Sequence, residues 1–253
     1  MVAYYNENDP FAAAWLRELI ASNLIAPGDV DKRSITDVRA DDLSGYDQCH
    51  FFAGIGGWSY ALRLAGWPDD RAVWTGSCPC QPLSSAGLRK GHADERHLWP
   101  AFYRLIAERN PTEVFGEQVA SKDGREWFSG IRADLEDAGY AVGAADLCAA
   151  GVGAAHVRQR LYWFAADFDG TRLSRWHEHG EPTQETSGKA IWREFKRVHA
   201  AGAWPSWDAE SDVRVFMDGI PARVGRVRGF GNAIVPQVAA QFIAAAEEAR
   251  GLI

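Results

Sequence analysis

The sequence predicts an α/β protein built on a mostly parallel, doubly wound sheet. Three observations carry this. Short apolar runs alternate with stretches whose apolar residues recur at helical spacing. Several of the joints between them are glycine turns. At 253 residues and 47% apolar side chains, the chain is long enough to cover both faces of one sheet.

The elements follow in order. Ala3 to Asn6 reads as a short strand. A helix is expected from Asp9 to Ser22, with Phe11, Trp15, Leu16 and Leu19 at helical spacing and Asp9–Pro10 as cap and first turn. Ile35 to Val38 reads as a second short strand, and Gln48 to Ala53 as a buried one running into a glycine turn. The next helix, Trp58 to Ala65, stops at Gly66. Arg71 to Thr75 and Glu113 to Glu117 read as strands, with a helix from Leu98 to Glu108 between them. Trp127 to Ala138 is helical and stops at Gly139. Ala141 to Cys148 and Leu161 to Ala165 are strands, and Val235 to Ala249 is the last helix. From about Ala166 to Ser211 the rhythm fails, and the chain turns polar. That interval reads as an insertion or a long loop.

Composition narrows the function. The net charge of −7 argues against a strong, diffuse grip on nucleic acid, but it leaves room for a local basic patch. No apolar run approaches the ~18 residues of a membrane span. The first residues, MVAYYNENDP, lack the basic and apolar regions of a secretory signal, so a cytoplasmic protein is expected. Cys49, Cys78, Cys80 and Cys148 stand at spacings that suggest neither a disulfide framework nor zinc, and no metal site is expected. The eleven tryptophans read mainly as packing residues, with base stacking open to a few.

Six segments carry chemistry. In CHFFAGIGGWSY, glycines after a buried strand let the backbone pass close to a ligand, and the following helix start offers free N–H groups. This suits a nucleotide-like ligand; a purely structural turn is the alternative. In YYNEND, Glu7 ends a strand, where a carboxylate can accept both hydroxyls of a ribose or simply cap a turn. In GSCPCQPLSSAG, Pro79 restrains a loop and Cys80 follows at a strand's carboxyl end. Cys80 is a nucleophile if it ionises, and an inert small hydrophobe if not. In FGEQV, Glu117 brings an acid to the same sheet edge. In HVRQRLYWF, Arg158 and Arg160 point the same way in an extended segment. Structural ion pairs are the alternative for both. GFGNAIVPQVA is a glycine–asparagine turn entering the last helix.

Together these segments resemble one family, the DNA cytosine-5 methyltransferases. FAGIGG is similar to its first motif, which binds S-adenosylmethionine (SAM), and Pro79–Cys80–Gln81 to its nucleophile motif. Glu117–Gln118–Val119 stands where the family has Glu-Asn-Val, Arg158–Gln159–Arg160 matches its Arg-x-Arg pair, and GNAIVP its last motif. Departures are present. Gln118 replaces the asparagine that would brace the Cys loop, and His156 replaces a glutamine. Only residues 58 to 78 separate Gly57 from Pro79, too few for the usual ribose- and adenine-binding strands. Tyr5–Asn6–Glu7, Asp9 and RSITDV resemble those missing pieces, moved ahead of the glycine motif. The expected order is therefore shuffled: ribose strand, its helix and adenine strand first, then the glycine and Cys strands.

The resemblance implies a class I SAM-dependent methyltransferase sheet with a small inserted recognition region. It implies a catalytic domain over residues 1–165, target recognition over 166–212, and a segment over 213–253 that completes the catalytic domain. It implies Cys80, Glu117, Arg158 and Arg160 as catalytic residues. SAM is expected at Phe52, Ala53, Gly54, Ile55, Gly56, Gly57, Glu7, Ser34, Ile35, Asp37, Pro79, Asn232 and Ala233. Double-stranded DNA with a flipped cytosine is the expected partner, touched by Gln81, Ser84, Arg193, Lys196, Arg197, Arg223, Arg226 and Arg228. No membrane partner is expected, and no oligomeric state is read. Two rivals stay open: a tRNA cytosine-5 methyltransferase, and a DNA- or SAM-binding protein with little turnover.

Overall fold

The computed structural model describes residues 2–79, 98–154, 158–167 and 233–249. Their strands form one seven-stranded sheet. In chain order the elements are β1 (Val2–Asn6), α1 (Pro10–Ala21), β2 (Gly28–Asp31), β3 (Tyr46–Phe51), α2 (Gly57–Leu64), β4 (Val73–Gly76), α3 (Trp99–Arg109), β5 (Glu113–Val119), α4 (Lys122–Asp137), β6 (Tyr140–Cys148), β7 (Gln159–Asp167) and α5 (Pro236–Ala249). The order across the sheet is β2-β1-β3-β4-β5-β7-β6. The first five strands are parallel, and β7 runs antiparallel to both β5 and β6.

The expected doubly wound sheet is thus present, with three differences. The segment expected as a strand at Ile35 to Val38 is a 3-10 turn, Ile35–Asp37, because the Ser34 hydroxyl accepts the Thr36 N–H and caps it. The strand beside β1 is instead Gly28–Asp31, which holds a single apolar residue and so carries no strand signal. The helix expected from Trp127 begins five residues earlier, at Lys122, where the Ser121 hydroxyl accepts the Gly124 N–H.

Alternation along the strands sorts the two faces. One carries Tyr5, Val73, Phe115, Tyr162 and Phe164 and is covered by α1, α2 and α5. The other carries Cys49, Phe51, Trp74, Val114 and Trp163 and is covered by α3 and α4. The described tryptophans other than Trp15 are all buried in these layers, as packing residues. Cys49 is one of them in kind, since burial pushes its thiol up to about 12.

The face assignments fix the handedness of the connections. The β1–α1–β2 unit steps toward one edge with its helix on the first face. The β4–α3–β5 unit steps the other way with its helix on the second face, so the two share one hand. The β3–α2–β4 unit steps like β4–α3–β5 yet keeps α2 on the first face, and its hand is reversed. Parallel crossovers are right-handed in about 98% of cases, which makes β3–α2–β4 a left-handed exception. What holds α2 there is specific. The Ser59 hydroxyl bonds Tyr5 Oη (2.9 Å) and accepts the Ala26 N–H (3.1 Å). At the other end of the sheet, Arg71 pairs with the buried Glu247 of α5 and with Glu113 of β5 (3.2 Å), and its guanidinium lies 3.6 Å over the Trp67 ring.

His50 lies in the middle of this layer, 1% exposed, stacked on Tyr5 and bonded to Thr75 Oγ1 (2.9 Å). Burial lowers its imidazole to about 3. The unfolded chain takes up this proton below its ordinary value of about 6.5, and the folded chain does not. The stability His50 contributes is therefore present above pH ~6.5 and is lost as pH falls toward ~3. Between pH 7 and pH 5 the loss is about 2 kcal/mol by linkage. Urea unfolding of wild type and His50→Asn at both pH values checks it: the variant is less stable at pH 7 but loses less on acidification. Glu7 and Glu117, whose carboxyls are raised, slope the other way and are common to both proteins.

Candidate active site

The carboxyl ends of the parallel strands converge on one edge, where open α/β sheets bind ligands. β3 ends at Phe51, and the chain turns through Phe52, Ala53, Gly54, Ile55 and Gly56 into α2. Gly54 and Gly56 hold positive φ (+56° and +81°), a region that glycine enters without strain. The Ala53 N–H donates to Asn6 O of β1 (3.0 Å), which pins the turn to the neighbouring strand. A Cβ on Gly57 would stand 2.8 Å from Ile234 Cγ1, so the first and last motifs pack directly on each other.

Glu7 follows β1 and faces this turn. The Gly54 N–H donates to its Oε2 (2.7 Å) and the Asp9 N–H to its Oε1 (2.8 Å). Each oxygen keeps a further acceptor site. Burial raises the Glu7 carboxyl above its ordinary value, against the pull of those two N–H groups. Ser34, Ile35 and Asp37 lie just past the carboxyl end of β2. Asn6, read only as part of the Tyr5–Asn6–Glu7 run, has a bracing role: its side-chain amide donates to Arg33 O (2.9 Å) and ties that segment to β1. An acid, a left-handed glycine turn and a helix start thus meet at one edge of the sheet.

β4 delivers the stem Ser77–Cys78–Pro79 to the same edge. Gln118 Nε2 donates to Cys78 O (3.4 Å), so the residue standing in place of asparagine does reach the stem. Cys80, Gln81, Ser84, Asn232 and the basic residues Arg193, Lys196, Arg197, Arg223, Arg226 and Arg228 lie outside the described residues. So does the expected recognition region, apart from Ala166 and Asp167, which extend β7.

Glu117 and Arg160 meet across the β5–β7 pair. Glu117 sits opposite Tyr162 and Val119 opposite Arg160, which puts Glu117 and Arg160 on one face as diagonal neighbours. Arg160 Nε stands 2.8 Å from Glu117 Oε1. Glu117 is 8% exposed, and burial pushes its carboxyl above the ordinary range although Arg160 and Arg158 pull it down. Burial likewise lowers the Arg158 guanidinium. Tyr162 closes the group from below: the Val235 N–H donates to its hydroxyl, and burial and Glu117 raise its phenol. Tyr162 went unread as a site residue because it looks like one apolar member of the strand LYWF. Ala233 lies beside this layer, immediately before Ile234 and α5.

A parallel sheet with one antiparallel strand inserted next to its edge, an acid after one strand and a glycine turn after its neighbour, has the architecture of the class I methyltransferase fold. Solved structures agree: the chain matches S. pombe Dnmt2 methyltransferase with a TM-score of 0.50 over 98% of both chains, at 14% identity, a likeness of fold. The model of the C-5 cytosine-specific DNA methylase family matches residues 67–204, more than half of the chain. The chain belongs to that family. Among curated proteins it is similar to Type II methyltransferase M.AplI of Arthrospira platensis, 35% identical over 161 residues (49% of this chain, 47% of that protein). It is also similar to Type II methyltransferase M.NgoMIV of Neisseria gonorrhoeae, 28% identical over 126 residues (49% of this chain, 40% of that protein). The chain spans less than half the length of these relatives. Among the described residues no helix is long and apolar enough to cross a membrane.

Proposed function

We propose that this protein transfers the methyl group of SAM to carbon 5 of cytosine in double-stranded DNA, with Cys80 as nucleophile. The observation that carries the reading is the ion pair of buried Glu117 with half-buried Arg160 at the edge to which β4 brings the Pro79 stem. Family membership supports the reaction class.

The cofactor's fit rests on the Glu7 edge. Glu7 has acceptor sites left for two ribose hydroxyls, the turn from Phe52 to Gly57 brings backbone close to the ligand, and Ser34, Ile35 and Asp37 stand where the adenine end would lie. Pro79, Asn232 and Ala233 complete the set by resemblance. Bound SAM supplies an electrophilic methyl group on a sulfonium.

The chain's residues then act on the base. The Cys80 thiolate adds to carbon 6 of the cytosine, and the electron pair of the 5,6 double bond becomes available at carbon 5. Glu117, whose carboxyl burial raises against the pull of Arg160 and Arg158, gives its proton or a strong hydrogen bond to N3. Arg160 holds the O2 oxygen as a fixed positive donor, and Arg158 adds to the field. Carbon 5 takes the methyl group, its hydrogen leaves as a proton to water, the thiolate is expelled as the double bond re-forms, and the proton lent to N3 returns to Glu117. The base must leave the stack for these contacts, and the basic residues from Arg193 to Arg228 are proposed to hold the backbone around it.

Labelled SAM offered with duplex DNA or with tRNA tests the reading, followed by bisulfite sequencing of the DNA. Label on cytosine in DNA, in a fixed context, is the expected result. Label in tRNA alone overturns the substrate, and label in neither overturns the activity.

A further inference from the structure

We infer that Trp58 is a positioning residue, which latches the stem of the nucleophile loop to the glycine turn through Ser77. The inference deepens the proposed function and rests on it.

Trp58 is the second residue of α2, directly after Gly56 and Gly57, and is 4% exposed. Its indole Nε1–H donates to Ser77 Oγ at 2.9 Å. Ser77 is the first residue after β4 and stands three before Cys80. A buried indole N–H needs a partner, and this one has found it on the stem. The same ring lies 6.1 Å from Phe115, two residues before Glu117, and 6.1 Å from Tyr162, which pairs with Glu117 across the sheet. One side chain therefore touches the strands carrying the acid and the arginine, belongs to the helix that starts at the glycine turn, and bonds the stem leading to the thiol. Gln118 holds the next residue of that stem, through Cys78 O. Of these two bonds to the stem, the one from Trp58 leads back to the proposed cofactor edge.

The left-handed crossover makes this link a matter of topology. Because α2 stays on the first face while the chain steps directly to β4, residues 57 to 77 run from the glycine turn to the stem with β4 as the one strand between them. A shift of α2 is thus transmitted to Ser77 by covalent continuity at one end and by the indole bond at the other.

Trp58→Phe keeps an aromatic ring in the layer and removes the N–H. Ser77→Ala removes the acceptor. Three measurements on these two variants and the double variant test the latch. In methyl transfer, each single variant is expected to lower kcat about tenfold, the rate equivalent of one hydrogen bond. KM for SAM is expected to stay within about twofold, and the double variant to be no slower than either single one, as a shared bond requires. In iodoacetamide alkylation followed by peptide mapping, each variant is expected to change the Cys80 rate at least about threefold, again without addition in the double variant. Cys49 and Cys148 are internal standards, since a general loosening of the fold would speed them too. Active wild type with unaffected variants, or with effects that multiply, overturns the latch and leaves the proposed function standing. If wild type transfers no methyl, the proposed function falls, and the alkylation rates alone decide. A Cys80-specific, non-additive change supports the latch, and equal rates, or rates that rise at all three cysteines, overturn it.

Discussion

Replacing Glu117 by glutamine is expected to lower methyl transfer by about 10²–10⁴-fold, the usual worth of a positioned general acid. Glutamine has nearly the same shape and can still donate an N–H, but it has no proton to give. The register of β5 against β7 places Glu117 on the face of Arg160, and the two stand 2.8 Å apart. In water such a pair would keep the acid ionised. Here burial is the largest influence on Glu117 and moves it the other way, so its neutral form persists to higher pH than for an exposed glutamate. This gives a second signature. The single-turnover rate of wild type falls as pH rises through the raised pKa of Glu117, because the proton donor is lost there. In Glu117→Gln that limb of the profile disappears. A rate loss with the limb intact would assign the proton to another group. Cys80→Ser serves as the reference: it is expected to abolish the covalent complex with 5-fluorocytosine DNA, whereas Glu117→Gln only slows its formation.

Much of this edge was legible in the sequence, and the reason is local. Glu7, the glycine turn, the Pro79 stem and Glu117 each follow an apolar run directly, and the end of a parallel strand is where a sheet exposes its next residue. The misses are local too. Gly28–Asp31 is an edge strand with one valine, so nothing in its period marks it. ITDV has the branched residues of a strand, and the cap from Ser34 won over propensity. Lys122 to Glu126 is polar, and the start of α4 depends on one hydroxyl at Ser121.

What no local pattern reports is which segments meet. Glu7 and Gly54 are joined by a hydrogen bond across the β1–β3 boundary, and Trp58 and Ser77 by another across the α2–β4 connection. The motif order suggested that the ribose and glycine strands share a sheet. The reversed hand of β3–α2–β4 needed the assignment of α2 to a face, and that assignment rests on Ser59 and Ile234, neither of which stands out in sequence.

A large stability change is expected at Gly116, one residue before Glu117. A Cβ there would lie 2.1 Å from Cε2 and Cζ2 of Trp163, the residue opposite it on β7. Trp163 has no room to retreat. It is 2% exposed, and Trp99 and Phe128 lie against it at ring separations of 6.3 and 6.4 Å. Gly116→Ala must therefore push apart β5 and the indole layer, and it is expected to cost about 3 kcal/mol, the upper end for overpacking a filled core. The displaced strand is the one that carries Glu117, so the fraction that still folds should also transfer methyl more slowly. Gly130→Ala supplies the contrast. Gly130 lies on the exposed side of α4 with nothing within 4 Å of its Cβ position. There the same added methyl group only replaces a poor helix former by the best one, and a gain of about 1 kcal/mol is expected. Urea unfolding of the two variants beside wild type measures both effects. Equal and opposite shifts of small size, or a harmless Gly116→Ala, would mean that the indole layer yields and that Gly116 is not what lets β5 and β7 close over Glu117.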